Sequence, residues 1–89
     1  MQNKLQLGTI SILIQKREVL GDKVQKILSV NSRLVMARMG VNIQPKCTSD
    51  CLGVITAVVQ GQKNELDVLT KKINAIKSVN ARLNILAKQ

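Results

Sequence analysis

The chain nearly repeats itself, and that constrains its fold more than any single motif. Leu7-Gly8-Thr9-Ile10-Ser11 returns as Leu52-Gly53-Val54-Ile55-Thr56, an offset of 45 residues. Ser29-Val30-Asn31-Ser32-Arg33-Leu34 returns as Ser78-Val79-Asn80-Ala81-Arg82-Leu83, an offset of 49. Two copies of one supersecondary unit are implied. The offsets differ by four, which places extra residues of the second copy in the Gln60–Asn64 connection and makes Arg33 and Arg82 equivalent, as are Asn31 and Asn80.

Each unit opens with a β-branched run, Thr9–Ile14 or Val54–Val59, as strands favour. Each continues into a helical pattern. Leu20, Val24, Ile27 and Leu28 line one face of the first helix, and Leu66, Leu69, Ile73 and Ile76 one face of the second, for which Asn64 is the expected N-cap. Each closes on an apolar stretch, Leu34–Ala37 or Leu83–Ala87. The order βαββαβ in a chain of 89 residues predicts a single α+β domain spanning residues 1–89. Its architecture is a ferredoxin-like sandwich, a four-stranded antiparallel sheet with both helices on one face. The strands are apolar on both sides, so a second copy of the chain is expected over the open face. The sequence leaves open which of each pair of neighbours points inward. Gly40 and Gly61 read as turn or strand-end residues, and Gly53 as a bulge or close backbone approach.

Composition narrows the function. There is no His and no aromatic residue, so a serine–histidine or cysteine–histidine catalytic pair cannot be assembled, and bases cannot stack on the sheet as in aromatic RNA-binding sandwiches. Five scattered acids offer no paired-carboxylate site. Enzymatic activity is not expected. Fourteen Lys and Arg against five Asp and Glu give a net charge of +9, which draws anions and keeps phosphate-based nucleic-acid binding as an alternative function. No apolar run approaches the roughly 18 residues of a membrane span, and a cytoplasmic location without membrane association is expected. Cys47 and Cys51 sit in the connection between the units. They read either as a metal or redox pair or as plain thiols, with a disulfide across the connection the remaining alternative.

Two further segments carry a resemblance. Met36-Ala37-Arg38-Met39-Gly40-Val41 and Leu69-Thr70-Lys71-Lys72-Ile73-Asn74-Ala75-Ile76-Lys77-Ser78-Val79 resemble the G-R-M-G-[IV] strand and the L-T-G-K-L-G-x-I-x-G-V helix-to-strand segment of small ACT-like regulators of the iron-only hydrogenase system. That family is similar in fold to the ligand-binding domain of the nickel-responsive repressor. The resemblance runs from about Gly8 to Leu86. It implies a cytoplasmic, oligomeric, non-enzymatic regulatory domain that senses a small molecule or metal. A homodimer or homotetramer with any small-molecule effector at a subunit interface is the expectation that follows, and a role in transcription regulation would need a separate partner. Arg38 and Gly40 in the matching strand, with Arg33 and Arg82, are the candidate ligand-binding residues; Cys47 and Cys51 are the candidate metal or redox residues. No cofactor is specified, and nickel does not carry over without His. The chain departs from the pattern where Lys71, Asn74 and Ser78 replace glycines and Asn42-Ile43 replaces Pro-Tyr. The connection bearing the cysteines is also about four residues longer than the family's.

Overall fold

A computed structural model describes residues 5–44 and 46–88, so Pro45 lies outside the described residues. The elements follow the expected order: β1 (Gln6–Ile14), α1 (Arg17–Val30), β2 (Val35–Asn42), β3 (Gly53–Gly61), α2 (Lys63–Asn74) and β4 (Val79–Lys88). The sheet order is β2-β3-β1-β4, with every neighbouring pair antiparallel. This is the α+β ferredoxin-like sandwich.

One face of the sheet and one stripe of each helix make the core. Ile10, Ile12 and Ile14 of β1 point inward with Ile55, Ala57 and Val59 of β3 and Val79 and Ala81 of β4, and meet Val24 and Leu28 of α1 and Leu66, Leu69 and Ile73 of α2. Leu20, Ile27 and Ile76 pack at its margin. Without aromatic rings the core is filled by branched aliphatic side chains, each worth about 1.5–3 kcal/mol when fully buried. The inward choice is settled by the helices: the two apolar stripes need one continuous sheet face.

The opposite face is less uniformly apolar than the sequence implies. The register aligns Val41, Val54, Leu13 and Asn80 in one row, Met39, Thr56, Ser11 and Arg82 in the next, and Ala37, Val58, Thr9 and Asn84 in a third. Apolar side chains therefore gather on β2 and β3, and polar ones on β4.

The second repeat match does not survive folding. Ser29 and Val30 end α1 and Asn31–Leu34 turn into β2, whereas Val79–Leu83 is already strand. The strands β2 and β4 start at Val35 and Val79, so the structural offset is 44 rather than 49. Arg33 and Arg82 are not equivalent, nor are Asn31 and Asn80. The expected extra residues are absent too: β3 and α2 are joined by Gln62, and α2 is 12 residues long against 14 for α1. The N-cap of α2 is Gln62 rather than Asn64, because the Gln62 N–H donates to Glu65 Oε1 at 3.1 Å and Asn64 lies inside the first turn. Gly40 lies within β2, not at a turn, while Gly61 does end its strand.

Two departures from the resembling pattern have structural answers. Ser78, in place of a glycine, has φ 71 in the left-handed region. Asn74 uses its side chain instead: Nδ2 donates to the Ala81 carbonyl at 2.8 Å, and Oδ1 accepts the Ala81 N–H at 2.7 Å. Those groups of the edge strand face away from β1 and would otherwise be unpaired.

Candidate functional site

The helices cover β1 and β3 better than they cover β2, whose residues are exposed along nearly its whole length. A groove results between α1 and this edge strand. Arg38 spans it, with Nη2 donating to Ser29 Oγ at 3.0 Å and Nη1 to the Gln25 carbonyl at 3.4 Å. On one side of this strut is a recess bounded by Leu28, Ser32 and Val35. On the other is an open cavity of about 300 Å³ lined by Arg17, Asp22, Gln25, Gly21, Gly40 and Gly53, among others.

Three of the five glycines make this cavity. A Cβ on Gly40 would make only ordinary van der Waals contacts with side chains, 3.9 Å from Ile55 Cγ1 and 4.0 Å from Gln25 Nε2. At Gly53 the Arg17 stem lies so close that a Cβ would fall 2.6 Å from Arg17 Cδ. The missing side chain is what lets the guanidinium lie against the sheet. Arg17 Nε is buried there with no hydrogen-bond partner, a donor left unsatisfied at a cost of about 1–3 kcal/mol.

The cavity's end is held by the β2–β3 connection. The Arg17 N–H donates to the Cys51 carbonyl at 2.8 Å, while the Glu18 carboxylate accepts N–H from Asp50 at 2.7 Å and from Cys51 at 3.1 Å. Glu18's own backbone N–H, then those of Cys51 and Asp50 and the charge of Arg17, hold its carboxyl below the ordinary 4.5 against partial desolvation. Cys47 and Cys51 are joined as a disulfide within this connection. In that state neither sulfur is a thiolate, the form a metal needs. Among the described residues no group of three or more acids and cysteines could hold a metal ion.

The candidate residues from the sequence are thus partly brought together. Gly40 lines the cavity, whereas Arg38 lines the neighbouring recess and reaches the cavity only through its bond to the Gln25 carbonyl. Arg33 lies elsewhere, in the turn after α1, where Nη2 donates to Glu65 Oε2 at 2.7 Å and lowers that carboxyl's pKa, with help from the Gln62 N–H. Arg82 is on the open sheet face, beside Ser11, Leu13 and Asn80. Arg17, Gln25 and Asp22 were missed by sequence reasoning, because nothing local marks a lone charged or amide residue on a helix as part of a site. The available signal was the glycine set: Gly21, Gly40 and Gly53 come from three different elements and converge on one space.

A family model described as "Iron-only hydrogenase system regulator, putative", TM1266-like, matches residues 6–83. The chain belongs to the TM1266-like family. Among solved structures, this TM1266-like chain is similar to the uncharacterized protein TM1266 from Thermotoga maritima, at 18% identity and a TM-score of 0.81 over 93% of this chain and 99% of that one. It is also similar to the ACT domain of GTP pyrophosphokinase from Chlorobium tepidum, at 12% identity and a TM-score of 0.66 over 93% and 88% of the two chains. CutA1 from Oryza sativa follows at 11% identity and a TM-score of 0.59, over 97% and 84%. These likenesses establish the ACT-like fold. No curated protein matches this TM1266-like chain. Among the described residues no helix is long and apolar enough to cross a membrane.

Proposed function

We propose that this TM1266-like chain is a non-enzymatic regulatory module that binds a small anionic effector in the groove between α1 and β2. The observation that carries this reading is the buried, unpartnered Arg17 Nε beside a cavity kept open by three glycines. Once the Arg17 side chain turns toward the cavity, a carboxylate or phosphate oxygen would supply the missing acceptor, and charge-assisted bonds of this type are about twice as strong as neutral ones. Arg38, in the neighbouring recess of the same groove, adds a second positive charge. Family membership supports a regulatory role in an iron-only hydrogenase system.

The groove lies along an edge strand, so a second copy docked at β2 would close it and place the effector at a subunit interface. A homodimer or homotetramer in the cytoplasm is the proposed working form. The effector would act by stabilising one subunit arrangement over another. Transcription regulation would then pass through a partner that reads that arrangement.

The test is a titration of isotopically labelled protein with inorganic phosphate and a panel of small carboxylates, followed by nuclear magnetic resonance. Saturable shifts at Arg17 Nε–H and Gly53 are expected, and their loss in Gly40→Val, whose Cβ meets only side-chain atoms at ordinary contact distance and whose methyl groups take up cavity space. Shifts that persist unchanged in Gly40→Val would overturn the assignment, as would no binding by any of the anions.

A second reading is favoured by the charge. Lys23, Lys26 and Lys72 edge a groove between the helices floored by Ile27, Val30 and Ile76, and could contact nucleic-acid phosphates. Affinity would then fall by about 0.7–0.9 log units per log unit of salt for each phosphate contacted. Binding independent of salt would remove this reading.

A further inference from the structure

Cys47 and Cys51 enclose a five-residue ring in the connection between the two βαβ units, and this ring is what the first turn of α1 is fastened to. Three hydrogen bonds make the attachment, all involving consecutive residues on each side: Arg17 and Glu18 on the helix, Asp50 and Cys51 on the ring. Asp50 is held at φ 53, a left-handed conformation that a free chain abandons readily when the residue is not glycine. The two cysteines differ in access. Cys51 is buried at 1% exposure, while Cys47 is half-buried at the surface.

We propose that Cys47–Cys51 is a thiol–disulfide exchange site for a dithiol reductant, and that its redox state sets how firmly the first turn of α1 is held. The inference goes beyond the effector reading and stands without it. A thiolate of the reductant attacks the accessible Cys47 Sγ. A mixed disulfide forms there as the Cys47–Cys51 bond breaks, and the electron pair leaves on Cys51 Sγ, which takes up a proton. The reductant's second thiolate then attacks its own sulfur in the mixed disulfide. Cys47 leaves as a thiolate and is protonated, and the reductant departs as a disulfide. Two electrons and two protons have passed to the protein.

Opening the ring removes the restraint on Asp50. Once Asp50 relaxes, its N–H and that of Cys51 no longer converge on Glu18, and the Arg17 N–H loses a fixed acceptor. Arg17 also lines the cavity, so the end of the groove loosens with the ring.

The experiment treats the folded chain with millimolar dithiothreitol, counts thiols by alkylation and mass spectrometry, and measures amide hydrogen exchange. Two alkylated cysteines are expected, with exchange at Asp50 and Cys51 at least about tenfold faster and restored by oxidised glutathione. Cys47→Ser should show the fast exchange with or without reductant while leaving the buried Cys51 side chain in place. A disulfide that resists reduction in the folded protein would overturn the proposal. So would reduction that leaves those amides, or Cys47→Ser, exchanging at the oxidised rate. Because no effector is present, these outcomes are independent of the anion titration.

Discussion

Replacing Asn74 with alanine tests how this chain closes the β4 edge. Asn74 sits at the end of α2 and gives both amide atoms to the backbone of Ala81, at 2.8 and 2.7 Å. Two hydrogen bonds of about 0.5–1.5 kcal/mol each place about 1–3 kcal/mol on this side chain. Alanine's better helix propensity returns up to about 0.7 kcal/mol, and water can reach the freed edge groups, so the expected net loss is about 1–2 kcal/mol. The protein lacks Trp and Tyr, which makes urea unfolding followed by far-ultraviolet circular dichroism the suitable assay. For a domain of this size the loss corresponds to a fall in Tm of about 5–10 °C. Asn74→Asp should lose at least as much as alanine, since its carboxylate can still accept the Ala81 N–H but sets a charged oxygen against the Ala81 carbonyl at the C-terminal end of α2. The alanine variant should also associate more readily through the uncovered strand. An alanine variant within about 0.3 kcal/mol of the parent would refute the reasoning, because it would mean that these bonds merely replace equally good bonds to water.

Ser78→Gly should raise stability by about 0.5–1 kcal/mol in the same assay, since relief of the left-handed backbone exceeds the added freedom of the unfolded chain. Gly8→Ala should lower it by about 1–3 kcal/mol: a Cβ there meets the Asn84 carbonyl oxygen at the β1–β4 bulge, and backbone cannot yield as a side-chain tip can. The attachment of the ring to α1 should depend on pH. Glu18's folded pKa lies below its ordinary 4.5, so its contribution is full above that value, declines as pH falls through the folded pKa, and vanishes when both states are protonated. Hydrogen exchange at Asp50 and Cys51, corrected for its intrinsic pH dependence, should lose protection over that acidic range in the parent but be pH-insensitive in Glu18→Gln.

Much of the fold was legible because its signals are local. The β-branched runs, the helical spacings of Leu20 to Leu28 and Leu66 to Ile76, and the resemblance at Met36–Val41 and Leu69–Val79 all report on nearby residues. The S-V-N-x-R-L match misled because similar words can occupy different structures: one ends a helix and the other is strand. Of the site, Gly40 and Arg38 were within reach through the strand they share. Arg17 was not, since nothing in Lys16-Arg17-Glu18 distinguishes it from any solvated helix start.

From sequence comes the inventory: two βαβ units, an aliphatic core, a surplus of nine positive charges, no imidazole and a closely spaced pair of cysteines. Periodicity and composition suffice for these because propensity and hydrophobic burial act over a few residues. Tertiary structure decided which sheet face is the core, that Asn74 seals the β4 edge, and that glycines 32 residues apart in the chain, Gly21 and Gly53, border one cavity beside Arg17. It also decided that the cysteine ring fastens to α1. These depend on the angle at which two helices cross a twisted sheet, and that angle is set by all the core contacts together rather than by any stretch of the chain.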